Sequence, residues 1–368
     1  MHRSFLSLAI TAFAFAACSG GAAGTKQDST AGASERSADG SSSAAVERGS
    51  SGGASRNVEF GDEQPRAVTL VDYIEPGFAI GFSDGSYAVF DPAAKAGKLS
   101  KVAKVYGVAA VSPSGVLALL GSTPPAIVNA EGELILQMNT VENFESAVFA
   151  DDALALYVAD RQGKVRIWGQ AHSFEEDQHK EALAVYLNRQ APDFHVEFPA
   201  IRGPIAMTPA GQLMVGDEEG VVRLWDPTRP SSSKRIMKLD GHVRSFAAAE
   251  DYLYATSTSG SLKIGQTAGG YLPWTKDARG GFVAATDAAP GTYWQLDDGA
   301  VSWRNTEDGA ARWELKLPAG ALCGLAVARD ASWLAACVGN RVVLVDAETG
   351  GAAGHMFSAN DQFAWSGY

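Results

Sequence analysis

Three groups of side chains have the types and spacing to do chemistry. The stretch GDEEGVVRLWD (216–226) sets Asp217, Glu218 and Glu219 side by side in an apolar neighbourhood. Neighbouring carboxylates of this kind can hold a hard cation or share acid/base work. They lack the spacing of a calcium loop and have no histidine beside them. A second group is His172, His179 and His195, near Glu175, Glu176 and Asp177. Imidazoles with carboxylates suit zinc, but His172 and His179 are seven positions apart rather than four, so they do not form a helical zinc pair. The third group is the cysteines, Cys18, Cys323 and Cys337, with no C-x-x-C spacing among them. No Gly-x-Ser-x-Gly elbow, phosphate loop or dinucleotide fingerprint occurs.

Whether the acidic triplet is a site depends on the element that carries it. GDEEGVVRLWD resembles GFSDGSYAVFD (81–91), ADRQGKVRIWG (159–169), TSTSGSLKIGQ (256–266), QLDDGAVSWRN (295–305) and CVGNRVVLVDA (337–347). Each joins an apolar run to an alternating run through a polar turn with glycine, the pattern of a β-hairpin. The turn glycines are Gly85, Gly163, Gly220, Gly260, Gly299 and Gly339, at steps of 78, 57, 40, 39 and 40. The first step is two periods of 39, which predicts a further turn near position 124, in GSTPPAIVN. A second hairpin turn precedes each unit, as in VSPSGVL (111–117), MTPAGQL (207–213) and ARDASWL (328–334). Seven units of about 40 residues, each with three or four short strands, predict an all-β, seven-bladed β-propeller, with six or eight blades as the alternatives. Asp217, Glu218 and Glu219 then occupy a turn that every unit possesses, where Asp and Gly are favoured for their backbone chemistry.

The repeat resembles the WD40 family across most of residues 66–357. The resemblance is sharpest at Trp225-Asp226 and Gly241-His242. Trp168 and Trp303 stand at the same position as Trp225 in their units. The resemblance implies a structural role for Trp168, Trp225, Asp226, His242 and Trp303. That family's His–Ser/Thr–Asp–Trp network is not complete in any one unit here, so apolar packing and strand pairing must carry more of the stability. The step of 57 holds an excess of 17 over a 40-residue period. Within it, Ser173 and Glu176 form a capping box, Leu183, Tyr186 and Leu187 share a face, and Pro192 ends the run. These predict a helical insert at about 173–190 in blade 3, with the helix over 174–188, after the third strand of its unit. Phe174, Leu183, Tyr186 and Leu187 are the expected partner-contacting residues.

Cys323 and Cys337 are symmetric about Asp330 in the turn VARDASWL. Directly opposed positions on adjacent strands come close to disulfide geometry. A disulfide is expected, the alternative being two buried thiols packing as small hydrophobes. The remaining cysteine lies at the end of MHRSFLSLAITAFAFAACSGG. Arg3 supplies a positive start, and Phe5 to Ala17 is an uncharged apolar run of 13 residues, the pattern of an export signal. Phe15-Ala16-Ala17-Cys18 resembles the lipobox of bacterial lipoproteins, although Phe15 stands where Leu is usual. The resemblance implies a signal peptide over 1–17 and a lipid-carrying Cys18. Ser19 to Arg56 is Gly, Ser, Ala and Thr with scattered charge and no aromatic residue. Such a segment cannot bury enough apolar surface to offset its ordering entropy, so 18–56 is read as a lipidated tether of about 35 Å reach. The domain is expected over 57–368.

The net charge of −12 and pI near 5.0 argue against nucleic acid as a partner. No cofactor and no metal is expected. The expectation is a membrane-anchored extracytoplasmic propeller that serves as a protein-interaction platform at a bacterial cell envelope. Its side of the outer membrane facing the periplasm is the favoured location, and envelope assembly is one role of that type. The alternative is an enzyme or a small-ligand or metal binder using the central channel. The first strand of each unit lines that channel, and these strands read mostly Ala, Val, Leu and Phe, which disfavours it.

Overall fold

A computed structural model describes residues 58, 60, 64–74, 77–101, 108–112, 116–119, 126–128, 133–137, 144–150, 155–168, 194–198, 200–227, 233–267, 276–277, 281–297, 299–360 and 362–368. These residues form seven antiparallel sheets, each built from consecutive strands. Blade 1 is β1 (Val68–Ile74), β2 (Gly77–Phe82), β3 (Ser86–Asp91) and β4 (Ala96–Lys101). Blade 2 is β5 (Val108–Val111), β6 (Leu117–Leu119), β7 (Ala126–Val128) and β8 (Leu134–Gln137). Blade 3 is β9 (Phe144–Phe149), β10 (Leu156–Asp160), β11 (Lys164–Trp168) and β12 (Phe194–Glu197). Blade 4 is β13 (Ile201–Met207), β14 (Leu213–Asp217), β15 (Val221–Trp225) and β16 (Lys234–Lys238). Blade 5 is β17 (Val243–Ala249), β18 (Tyr252–Ser257), β19 (Ser261–Gln266) and β20 (Lys276–Asp277). Blade 6 is β21 (Phe282–Ala284), β22 (Thr292–Asp297), β23 (Ala300–Asn305) and β24 (Ala311–Lys316). Blade 7 is β25 (Leu322–Val327), β26 (Trp333–Val338), β27 (Arg341–Asp346), β28 (Ala352–Ala359) and β29 (Gln362–Gly367).

The first strands neighbour one another in order, and β1 lies against both β5 and β25. The fold is therefore a closed ring, a seven-bladed β-propeller. The turn expected near 124 falls between β6 and β7, which pair antiparallel. No helix occurs among the described residues. The expected helical insert, with Phe174, Leu183, Tyr186 and Leu187, lies outside them, as do Cys18, the signal segment and the tether. The gap in question falls between β11 and β12, the third and fourth strands of blade 3.

The blades hold together through their faces. Alternate residues of each strand point to opposite sides of the sheet, so both faces of a blade meet a neighbour and the strands become apolar throughout. Strand β14 reads LMVGD and is buried at every position. One cluster joins blades 3, 4 and 5 through residues such as Tyr157, Trp225 and Phe246. Others join blade 6 to 7, 7 to 1, 1 to 2 and 5 to 6. Each fully buried large side chain contributes about 1.5–3 kcal/mol. Gly203 lets blades 4 and 5 approach closely, because a Cβ there would run into the Val243 carbonyl of blade 5.

Among the described residues no blade borrows a strand from the other end of the chain, and the ring closes by packing and a few hydrogen bonds. Strand β29 is a fifth strand on the outer edge of blade 7, and it leans on β4 of blade 1. Phe90 meets Trp365 at 4.9 Å and Phe363 at 6.2 Å between ring centroids. The Arg66 N–H donates to the Ser358 carbonyl (2.8 Å) and the Val68 N–H to Asn340 Oδ1 (3.3 Å).

Six of the seven inner strands carry a register shift near their start. The extra residues are Thr69, Ala109, Glu145, Arg202 to Pro204, Arg244 and Cys323. A bulge bends the strand and increases its twist, re-aiming a side chain at the rim of a sheet.

Candidate functional site

Asp217 accepts hydrogen bonds at Oδ1 from the N–H groups of Glu219 (3.0 Å) and Val221 (2.8 Å). Asp160 does the same for Gln162 and Lys164 in blade 3, and its other oxygen meets Arg166 at 2.9 Å. In blade 5 the Ser257 hydroxyl accepts from Ser261 N–H. Gly220 sits at φ +78, and a Cβ there would meet two backbone carbonyls of blade 5's approach. The acidic triplet therefore includes a repeated turn device, with Glu218 and Glu219 exposed beside it. Among the described residues no group of three or more His, Cys, Asp and Glu is placed to hold a metal.

Trp225 is completely buried and meets Phe198 edge-on at 6.0 Å. Asp226 follows it at the end of β15. Trp168 ends β11 opposite Leu156. The resemblance implies a structural role for His242. Its ring is exposed, and the residue's structural contribution is its carbonyl, which accepts Thr258 N–H at 2.8 Å. Its partner glycine, Gly241, has φ +89, so the pair shapes the backbone rather than a buried side-chain network.

Cys323 and Cys337 are bonded, with their Cα atoms 5.0 Å apart. They are not directly opposed as expected. Gly324 faces Cys337, and Cys323 is the bulged residue. The bond thus ties a bulge on the inner strand to the strand behind it.

At the same end of the axis, Arg244 spans three blades. From blade 5 it lies over the Phe282 ring of blade 6 (4.7 Å) and donates from Nη2 to the Leu322 carbonyl of blade 7 (3.1 Å). Burial lowers its pKa from the ordinary arginine value. Glu145 accepts from Gly203 N–H of blade 4 (3.0 Å) and pairs with Arg161 Nε (2.7 Å). Farther along β1, Asp72 is buried. Desolvation pushes its carboxyl well above the ordinary range, opposed by the Tyr73 N–H (2.8 Å) and by Arg329.

A cleft of about 400 Å³ opens between blades 6 and 7. One wall carries Trp294 and Trp303, which with Trp313 form a tryptophan ladder in register across β22, β23 and β24. Trp303 stacks parallel on Trp294 at 5.7 Å, with an angle of 5°. Trp294 and Trp313 both donate Nε1–H to the Ala347 carbonyl of blade 7, at 3.3 and 3.1 Å. Arg312 lies over Trp303 at 4.4 Å, and its Nε donates to Asn305 Oδ1 at 2.8 Å. Asp330 and Glu348, in two turns of blade 7, line the other side.

No family model matches this chain, and no curated protein matches it. Function must therefore be argued from the fold and these two places. At the bulged ends of the inner strands, Arg244 and Glu145 each bind the backbone of another blade. The cleft has open volume, an aromatic wall and charged groups from two blades, the composition of a binding pocket. Trp303, expected only as a strand-packing residue, is part of it. The sequence carried a signal for the ladder, because tryptophans at 294, 303 and 313 fall on successive strands of one blade. Their facing acids, from the next unit, carried none.

Proposed function

We propose that this protein is an exported, lipid-anchored β-propeller that serves as a protein-interaction platform at a bacterial cell envelope. The observation that carries the reading is the closed ring of seven blades, a rigid scaffold that holds the hairpin turns of every blade. Loops held by a rigid scaffold are where binding residues concentrate. The WD40-like repeat supports the same role. The apolar run before Cys18 and the tether that follows support export and anchoring, with the outer membrane, facing the periplasm, as the favoured site. The segment at 173–190 is the first contact region to test.

Two measurements in the source cells test this. Radiolabelled palmitate should label the full chain and not the Cys18→Ala variant, and label on both or neither would remove the anchor. Crosslinking in intact cells should recover the same protein repeatedly with the full chain, and less of it when residues 173–190 are deleted. Recovery of nothing above an unrelated anchored control would remove the platform.

A further inference from the structure

The cleft between blades 6 and 7 has an unusual charge arrangement. Arg312 is its single cation among the described residues, and it is committed to the Trp303 face and to Asn305. It makes no ion pair with Asp330 or Glu348. Those two carboxylates have no ion-pair partner among the described residues. Asp330 Oδ1 accepts from the Ser332 N–H (3.0 Å) and hydroxyl (2.6 Å), which holds the side chain in place and leaves Oδ2 open. Both acids are exposed at the rim. Trp294 stacks on Trp303 and Arg312 lies over it, so the carboxylates carry the attraction: two acids without a cationic partner among the described residues, across a cleft walled by alanines, make a site for a cation with an apolar stem.

We propose that this cleft binds an arginine or lysine side chain presented by a protein partner. The proposal rests on the platform reading and names the chemistry of one contact. The side chain's stem lies along Ala288, Ala289, Pro290 and Ala331, and its charged head meets Asp330 and Glu348. Arginine is favoured over lysine, because its planar head can bond a carboxylate through two N–H groups at once. Such residues dominate the energetics of protein interfaces.

The test uses the folded mature protein and N-acetyl-arginine methylamide, followed by tryptophan fluorescence and indole N–H NMR shifts. The neutral control is N-acetyl-citrulline methylamide, which has the same shape without charge. The arginine probe should bind at least about fivefold more tightly than the citrulline probe. The double variant D330N/E348Q should lose about fivefold in affinity for the arginine probe with an unchanged melting temperature, and added salt should weaken binding. Equal binding of the two probes, an unaffected double variant, or no shift up to the probe's solubility would overturn the proposal. Crosslinking with the double variant separates the two readings. A partner captured equally by both chains, with no probe binding, removes the cleft and leaves the platform. Probe binding as expected, with no partner captured by the wild-type chain, removes the platform and leaves a cation site.

Discussion

At the scale of single residues, the chain's charged groups divide by what their neighbours leave unsatisfied. Asp217 and Asp160 satisfy turn N–H groups, and this was legible because Asp two or three positions before Gly in a hairpin has a local cause. Asp72 is different. It belongs to an apolar strand, VTLVDYI, and only the packing of neighbouring blades desolvates it. Its folded pKa is raised, so the folded state holds a proton that the unfolded state loses once pH exceeds about 3.8. Between the unfolded and folded pKa values the unfolded chain binds fewer protons, and stability must fall as pH rises through that window. Asp72→Asn keeps an acceptor for Tyr73 N–H and cannot ionise. It should be more stable than wild type at pH 7, with the gain shrinking to nothing as pH drops through the ordinary aspartate range. Urea denaturation at pH 3.5, 5 and 7 measures this, and a gain independent of pH would contradict the assignment.

At the scale of elements, the recurring feature is the bulge at the start of the inner strands. A bulge is a mismatch between two strands, so it has no signature in either alone. That is why Cys323 and Cys337, counted symmetrically about Asp330, were expected to face each other and are instead offset by one residue. The bond joins residues 14 apart. On the chain-entropy account a loop of this size stabilises by up to about 3 kcal/mol. Reduction, or the Cys323→Ser and Cys337→Ser double variant, should therefore lower unfolding free energy by about 1–3 kcal/mol. Denaturant titration with and without reductant checks it. The bond also sits beside Leu322, whose carbonyl receives Arg244, so hydrogen exchange should rise first at the start of β25.

At the scale of the whole molecule, the ring is held at one seam by side chains and a few backbone bonds rather than by a shared strand. Strand β29 is the piece that leans across it, covering Phe90 with Phe363 and Trp365. Truncation after Asn360 should leave the blades formed, with unchanged β-sheet circular dichroism at low temperature. It should lower the melting temperature by several degrees and raise dye binding to exposed apolar surface, since one blade edge is uncovered. A truncated chain that melts like the full one would show the seam to be held without β29, by β1 against β25 and the bonds of Arg66 and Val68.

The sequence by itself determined the repeat and the position of most hairpins, and favoured seven blades over six or eight, because strand alternation and turn chemistry act over a few residues. It also determined that the acids at 217–219 belong to a turn. Only the tertiary structure decided how the ring closes, which inner strands bulge, that Arg244 reaches from blade 5 to blade 7, and that an aromatic wall faces Asp330 and Glu348. The bulges depend on the register between two strands, and the others join residues from different blades. Local sequence sets what a blade is, whereas the meeting of two blades depends on twist, register and packing accumulated over the whole circle.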